Sequence, residues 1–158
     1  MAGQPDDIAA LRVVADYQFG AGAGEALVPD DEPIEVERSR SGRPRQLVSE
    51  GGRLATYNTD GRLSLGLEGG RRLGAALEPP AGRVTVGDES EPFVRDGKNA
   101  FAKFVTDVDP AVRPNDEVLV VHEDGRLLAV GRAELSAEGM RAFGSGMAVK
   151  VREGAGDA

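Results

Sequence analysis

The five residues "EPPAG" at 78–82 constrain this chain more than any other stretch. Two adjacent prolines followed closely by a glycine cannot sit inside a helix or a central strand, because proline has no amide to donate and crowds the preceding turn. The length suits one or two small domains, and this segment, near the midpoint of 158 residues, is the best boundary between two. We read one domain over 1–80, a second over 81–154, and a frayed tail over 155–158.

Each half must then build a core from limited material. Hydrophobic residues are 40% of the chain but aromatic ones only 4%, so Val, Leu and Ala must supply the interior. In the first half, "DIAALRVVADYQF" (7–19) puts Ile8, Leu11, Val14, Ala15 and Gln18 at helical spacing, with Asp6 and Asp7 as cap candidates. The glycine-rich run "GAGAGEALVPDDEP" reads as loop. Four strand-like pieces follow at 33–38, 45–48, 53–58 and 62–67, the last two joined by Asp60-Gly61, a favoured hairpin turn. They predict an antiparallel meander. "EGGRRLGAAL" (68–77) predicts a short helix, weakened by its glycines.

In the second half, "DEVLVVHEDGRLLAVGRAEL" (116–135) is a hairpin turning at Asp124-Gly125, "SAEGMRAF" is a helical turn capped by Ser136, and "MAVKVR" is a closing strand. The fold class is α+β: a small helix-plus-meander domain, then a β pseudobarrel with short helices. "GKNAFAKFV" (97–105) is the segment with the most chemistry. At 100° per residue Ala100, Phe101, Phe104 and Val105 share one side, with Asn99 and Lys103 opposite. This predicts a short helix with both phenylalanines in the core. The chain has three lysines, Lys98, Lys103 and Lys150, and two of them fall here.

Charge carries a mixed message. Asp plus Glu number 27 against 19 Lys plus Arg, for a net charge of -8, which repels nucleic acid at low salt. Acid with arginine in place of lysine is also the pattern of proteins working in concentrated salt. There the Debye length shrinks to about 3 Å and only touching contacts matter. A second basic feature is "RSRSGRPRQ", where Arg38, Arg40, Arg43 and Arg45 follow a run of six carboxylates from Glu25 to Glu37. Arginine's planar fork suits phosphate. A salt-bridged tip facing the acidic run is the equal alternative.

Several chemistries lack residues. With no cysteine there is no disulfide, thiolate metal site or Cys nucleophile. "GAGAGEA" has the composition of a dinucleotide loop but follows a helix and lacks the G-x-G-x-x-G spacing. His122 is the single histidine, beside Glu123 and Asp124, and cannot complete a zinc site with a second one. The acid pairs of "DVDP" and "PDDEP" are ordinary in an acidic chain. No catalytic residue, metal or cofactor is expected. The N-terminus lacks the pattern of a signal peptide, and no apolar run is long enough for a membrane span, so a cytoplasmic protein is expected.

The motifs "GKNAFAKFV", "RPNDEVLVV", "LLAVGRA" and "GMAVKVR", in this order and spacing over 81–154, resemble a PUA domain, the small RNA-binding pseudobarrel. They are most similar to the one that ends archaeosine tRNA-guanine transglycosylases. "LRVVADYQFGAGAG" and "SRSGRPRQL" resemble the segment that precedes it there. The large catalytic barrel of that family has no counterpart in these residues. The resemblance implies RNA contacts from Gly97, Lys98, Asn99 and Lys103, from Arg113 to Asp116, and from Gly131 and Arg132. It implies recognition of tRNA or another structured RNA by backbone and shape. Three readings follow: a non-catalytic RNA-binding protein, alone or as an accessory to an RNA-modifying enzyme; an RNA-docking subunit that assembles with a separate catalytic protein; and an enzyme with an unadvertised pocket.

Overall fold

A computed structural model describes residues 5–156, with side chains from residue 7 onward. The chain divides into two compact units, between Leu77 and Glu78. Among the described residues no helix is long and apolar enough to cross a membrane.

The first unit opens with α1 (Pro5–Phe19) and α2 (Ala23–Leu27). Helix α1 already includes Asp6 and Asp7, so neither stands at a cap, and the side chain of Asp6 lies outside the described residues. The glycine-rich run expected to be loop contains α2, whose Ala23, Gly24 and Leu27 are buried. Strands β1 (Glu35–Arg38), β2 (Pro44–Ser49), β3 (Gly52–Tyr57) and β4 (Leu63–Leu65) form the expected meander in sequential order. Register explains its two faces. Val36, Leu47, Ala55 and Leu65 sit opposite one another in a buried row, while Glu37, Gln46, Thr56 and Ser64 line up on the other face.

Polar side chains close the ends of this unit. Gln18 of α1 donates to the Leu63 carbonyl at 2.8 Å and accepts from the Leu63 amide at 2.7 Å, so an amide side chain satisfies the open edge of β4. Helix α3 (Leu67–Ala76) packs on β3 through Gly69, where an added Cβ would meet the Leu54 carbonyl oxygen at 2.0 Å. The glycines that weaken α3 as a helix are thus what let it lie against the sheet. Arg72 of α3 then ties three segments together. Its guanidinium donates to both Glu32 oxygens at 2.7 Å, to the Leu27 carbonyl at 3.0 Å and to Glu68 at 3.2 Å.

The second unit holds β5 (Arg83–Val86), α4 (Glu91–Arg95), β6 (Ala100–Phe101), a 3-10 turn over 102–104 and β7 (Val105–Val108). It continues with β8 (Glu117–His122), β9 (Leu127–Ala133), α5 (Ala137–Ala142) and β10 (Met147–Gly154). The six strands run in the order β6-β10-β9-β8-β5-β7, a nearly closed, barrel-like sheet in which only the β5–β8 pair is parallel. The Ser136 hydroxyl accepts from the Gly139 amide at 3.0 Å, the cap expected for α5. Ala155 and Gly156, expected to fray, donate to the Leu128 and Arg95 carbonyls, and residues 157–158 lie outside the described residues.

The core of this unit is Val84, Val86, Val94, Ala100, Ala102, Val108, Val118, Val120, Leu128 and their neighbours, with no aromatic residue among its buried members. Here the expected helix over 97–105 is wrong. Ala100 pairs with Val149 and Phe101 with Met147, and the Ala102 amide donates to the Gly146 carbonyl. Strand alternation turns Ala100 and Ala102 inward and leaves Phe101 44% exposed, with Phe104 half-buried. A waiting edge of β10 offers hydrogen bonds that a one-turn helix would not replace.

Arg72→Ala should lower the stability of the first unit by about 2 kcal/mol, since it removes charge-assisted bonds to Glu32, Glu68 and the Leu27 carbonyl, while Glu68 keeps Arg71. The Arg72 guanidinium holds the Glu32 carboxyl below its usual range. A depressed carboxylate stabilises the fold near neutrality and loses that contribution as pH falls through its folded value, so the variant should also show a flatter acid limb. Urea titrations at neutral and acidic pH measure both.

Candidate nucleic-acid interface

Strand β6 is an edge of the sheet, paired only with β10, and the chain's lysines gather around it. Lys98 precedes β6, Lys103 follows it within the 3-10 turn, and Lys150 lies on β10; all three are exposed. Local backbone bonding sets Lys98 in place. Helix α4 ends with the Gly97 amide donating to the Val94 carbonyl at 3.0 Å and the Lys98 amide to Phe93 at 2.9 Å. Gly97 has φ 92, a left-handed turn that an L side chain would strain. The Lys103 ammonium lies 5.0 Å from the centroid of the Phe104 ring.

The other residues that the resemblance singles out fall into two kinds. Asn99 is half-buried and its Oδ1 accepts from the Val151 amide at 2.9 Å, which fastens the β6 approach to β10. Arg113 is exposed, and its amide donates to the Asp116 carboxylate at 2.9 Å within a turn where Asn115 takes φ 75. Asn115 donates to the Ala133 carbonyl at 2.8 Å and Ala133 to that of Asp116, so the "RPND" turn is stitched to the end of β9. Arg132 is exposed on β9, with Nε 3.2 Å from Glu134. Gly131 is buried: an added Cβ would meet the Lys150 carbonyl oxygen at 2.4 Å, so it serves the close approach of β9 and β10.

Lys150 was absent from the sequence-derived candidates, although the scarcity of lysine could have found it. Its cross-strand partner is Arg132, whose partner on β8 is Glu117. Opposed residues share a face, so Lys150 and Arg132 stand side by side. Glu117 takes two bonds of 2.7 Å from Arg152 and its side chain is only 6% exposed. The acid in this row is therefore neutralised within the protein, and the bases are the part that faces outward.

The arginine cluster of the first unit divides. Arg38 is bonded to Asp7 and to the Gly42 carbonyl, and Arg43 donates to the Tyr57 and Asn58 carbonyls with its guanidinium 4.5 Å from the Tyr57 ring centroid. Arg40 and Arg45 are exposed, and their side chains have no hydrogen bond or ion pair among the described residues. Asp7, ahead of the acidic run, supplies the partner for Arg38.

A third cluster surrounds His122, at the end of β8. Its Nε2 is 2.6 Å from Asp88 and 3.7 Å from Glu91, and its Nδ1 is 3.2 Å from the Asp124 carboxylate. Asp88, Glu91 and His122 have ligand atoms within 4.8 Å of one another. The Glu91 carboxylate, however, is already gripped by Arg95 at 2.9 Å and Arg126 at 2.8 and 3.1 Å. Two guanidiniums on one of three ligands make this an ion-pair network and not a cation site.

Residues 9–80 match the model of the patch-forming domain C2 of tRNA-guanine transglycosylase, and residues 82–155 match that of the PUA domain. The chain is 51% identical over 145 residues to the tRNA-guanine(15) transglycosylase of Pyrococcus furiosus, covering 91% of this chain and 24% of that protein. It is 50% identical over 151 residues to the enzyme of the same name from Methanothermobacter thermautotrophicus, covering 94% and 23%. It thus spans about a quarter of the length of these curated relatives. Among solved structures, a hypothetical protein of Pyrococcus horikoshii superposes with a TM-score of 0.78 at 21% identity, covering 99% of this chain and 95% of its own.

Gly131→Ala should destabilise the second unit by about 1–3 kcal/mol through the β9–β10 clash. Gly97→Ala should also cost stability, about 1 kcal/mol from its left-handed backbone. Thermal melts of the two variants separate a packing glycine from a turn glycine, and an unchanged melt for Gly131→Ala would overturn the packing role.

Proposed function

Because the chain belongs to the family that joins domain C2 of tRNA-guanine transglycosylases to a PUA domain, we propose that it is a non-catalytic RNA-binding protein. Its ligand in this reading is tRNA or another structured RNA, held along the β6–β10 edge. The observation that carries the reading is the placement of all three lysines of an arginine-dominated chain around one sheet edge, each exposed. Ammonium groups spaced along an edge neutralise successive phosphates without reading bases, so recognition is by backbone and shape. Arg132 beside Lys150 extends that edge, and Arg113 lies on the turn stitched to the end of the same strand β9. Arg40 and Arg45 form the accessible part of a second basic patch; Arg38 and Arg43 serve the fold.

The Lys98→Glu, Lys103→Glu double variant should lose about tenfold or more in tRNA affinity and reduce the slope of log K against log salt by about two, with an unchanged melting temperature. Arg40→Glu, Arg45→Glu supplies the comparison for the second patch. Filter binding across a salt series measures both, and a lysine variant that binds like the parent would sink the assigned edge.

A second reading, a docking subunit that assembles with a separate catalytic protein, is favoured by α1. There Tyr17 is 93% and Val13 62% exposed, beside Val14, Gly61 and Arg62. Large exposed apolar groups on one helix suit a protein partner better than RNA. In that case Tyr17→Glu should abolish co-elution with a transglycosylase catalytic chain while leaving tRNA affinity intact.

A further inference from the structure

The His122 network joins two parts of the second unit just beyond the β5–β8 pairing, where Val86 lies opposite His122. One is the 87–91 approach to α4, and the other is the turn between β8 and β9. Asp88 and Glu91 face the imidazole from the first; Asp124 and Arg126 face it or its partners from the second, and Arg95 reaches it through Glu91. On β5, His122 lies in register with Val86, while Arg83, Asp107 and Glu123 line the cavity that His122 borders. Among the described residues, Asp88 is 93% exposed and its carboxylate is bonded only to His122.

We propose that His122 is the latch of a pH-sensitive clasp: in its charged form it binds the α4 approach to the β8–β9 turn, and loss of that charge loosens α4 and the lysine edge that α4 positions. Both ring nitrogens have partners for either state. The charged ring donates from Nε2 to Asp88 and from Nδ1 to the Asp124 carboxylate. The neutral ring still donates from Nε2, while Nδ1 accepts the Asp124 amide at 3.1 Å. What changes is charge. Asp88, Glu91 and Asp124 are balanced by Arg95, Arg126 and the imidazolium, and deprotonation leaves one negative charge in excess beside α4.

The carboxylates, Asp88 first, hold the imidazole proton above its ordinary value of 6.5. A group whose folded value is raised contributes stability that is fully present at lower pH and lost as pH rises through the folded value. The clasp therefore weakens on the alkaline side of neutrality. Its effect reaches the lysine edge through α4 itself, because the Gly97 and Lys98 amides are bonded to the Val94 and Phe93 carbonyls of that helix. The effect is also isolable. The chain has one histidine and no cysteine, so no other side chain has its ordinary titration between about pH 6 and 9.

The link to affinity rests on the reading of the lysine edge as the RNA surface; the clasp itself does not. The test follows the full chain, His122→Gln and Asp88→Asn from about pH 6 to about pH 9 at fixed salt. It records melting temperature, backbone amide shifts, and affinity for unfractionated tRNA. The parent should melt lower as pH rises, its Gly97 and Lys98 amides should shift with the His122 midpoint, and tRNA affinity should fall about fivefold. In His122→Gln all three should be flat apart from the terminal amine, and Asp88→Asn should lower the His122 midpoint. A pH-independent parent melt overturns the clasp. Amide shifts that ignore the His122 midpoint overturn its link to the lysine edge, whether or not tRNA binds. Absence of tRNA binding at every pH overturns the RNA reading and leaves the clasp to be decided by the first two measurements.

Discussion

Close approach of backbone to backbone is the constraint on which this architecture depends. With aromatics scarce and Phe93, Phe101 and Phe143 all exposed, neither core can be filled by large rings. Val, Leu and Ala fill space only if the elements carrying them come near one another. Gly69 lets α3 lie on β3 with its backbone near the Leu54 carbonyl, and Gly131 lets β9 pass beside the Lys150 carbonyl of β10. The second contact reaches the surface as well as the core. It sets the spacing between the strands that carry Arg132 and Lys150, so a packing requirement fixes where two bases stand.

The two kinds of base do different work for a physical reason. Arginine's fork makes paired bonds at fixed angles, and in this molecule those bonds are largely spent inside: Arg72 on Glu32, Arg126 on Glu91, Arg152 on Glu117, Arg38 on Asp7. Lysine is a compact, well-hydrated point charge that gains less from such geometry. The three lysines remain at the surface of one edge. A chain with a net charge of -8 can therefore present a local basic strip, because much of its acid is already paired where it sits.

Much of this was legible in residue order. Asp60-Gly61 and Asp124-Gly125 mark their hairpins because glycine accepts the positive φ that both turns adopt, 84 and 95. Ser136 marks α5 because its hydroxyl has an amide to accept from. The stretch 97–105 fits a helical period better than a strand, which would point Phe101 and Phe104 to opposite faces, yet it folds as a two-residue strand, a 3-10 turn and the start of β7. The deciding partner, the β10 edge, is some forty-five residues away. Burial of Phe101 was then a consequence of the wrong period. The pairing of Arg38 with Asp7 was equally hidden, since the nearby acids invite a partner and a residue at the start of α1 supplies it. Gln18 fits the apolar stripe of α1 only by position; that its amide would close the edge of β4 depends on a strand 45 residues on.

Screening decides how such a strip can act. At moderate salt the Debye length is about 8–10 Å, so the surrounding carboxylates would oppose an approaching polyanion before the lysines could hold it. At about 1 M that length falls to about 3 Å and the opposition disappears, but so does any long-range attraction. What then survives is contact chemistry: ammonium against phosphate, and backbone shape against a helical groove. An acidic protein with lysines confined to one edge and its arginines engaged in short paired bonds suits that regime. Its shortest ion pairs, at 2.6–2.8 Å, lie inside that screening length and persist. On the proposed reading, the same short range that keeps the fold's own pairs intact makes the placement of each lysine, and not the net charge, the quantity on which RNA affinity would turn.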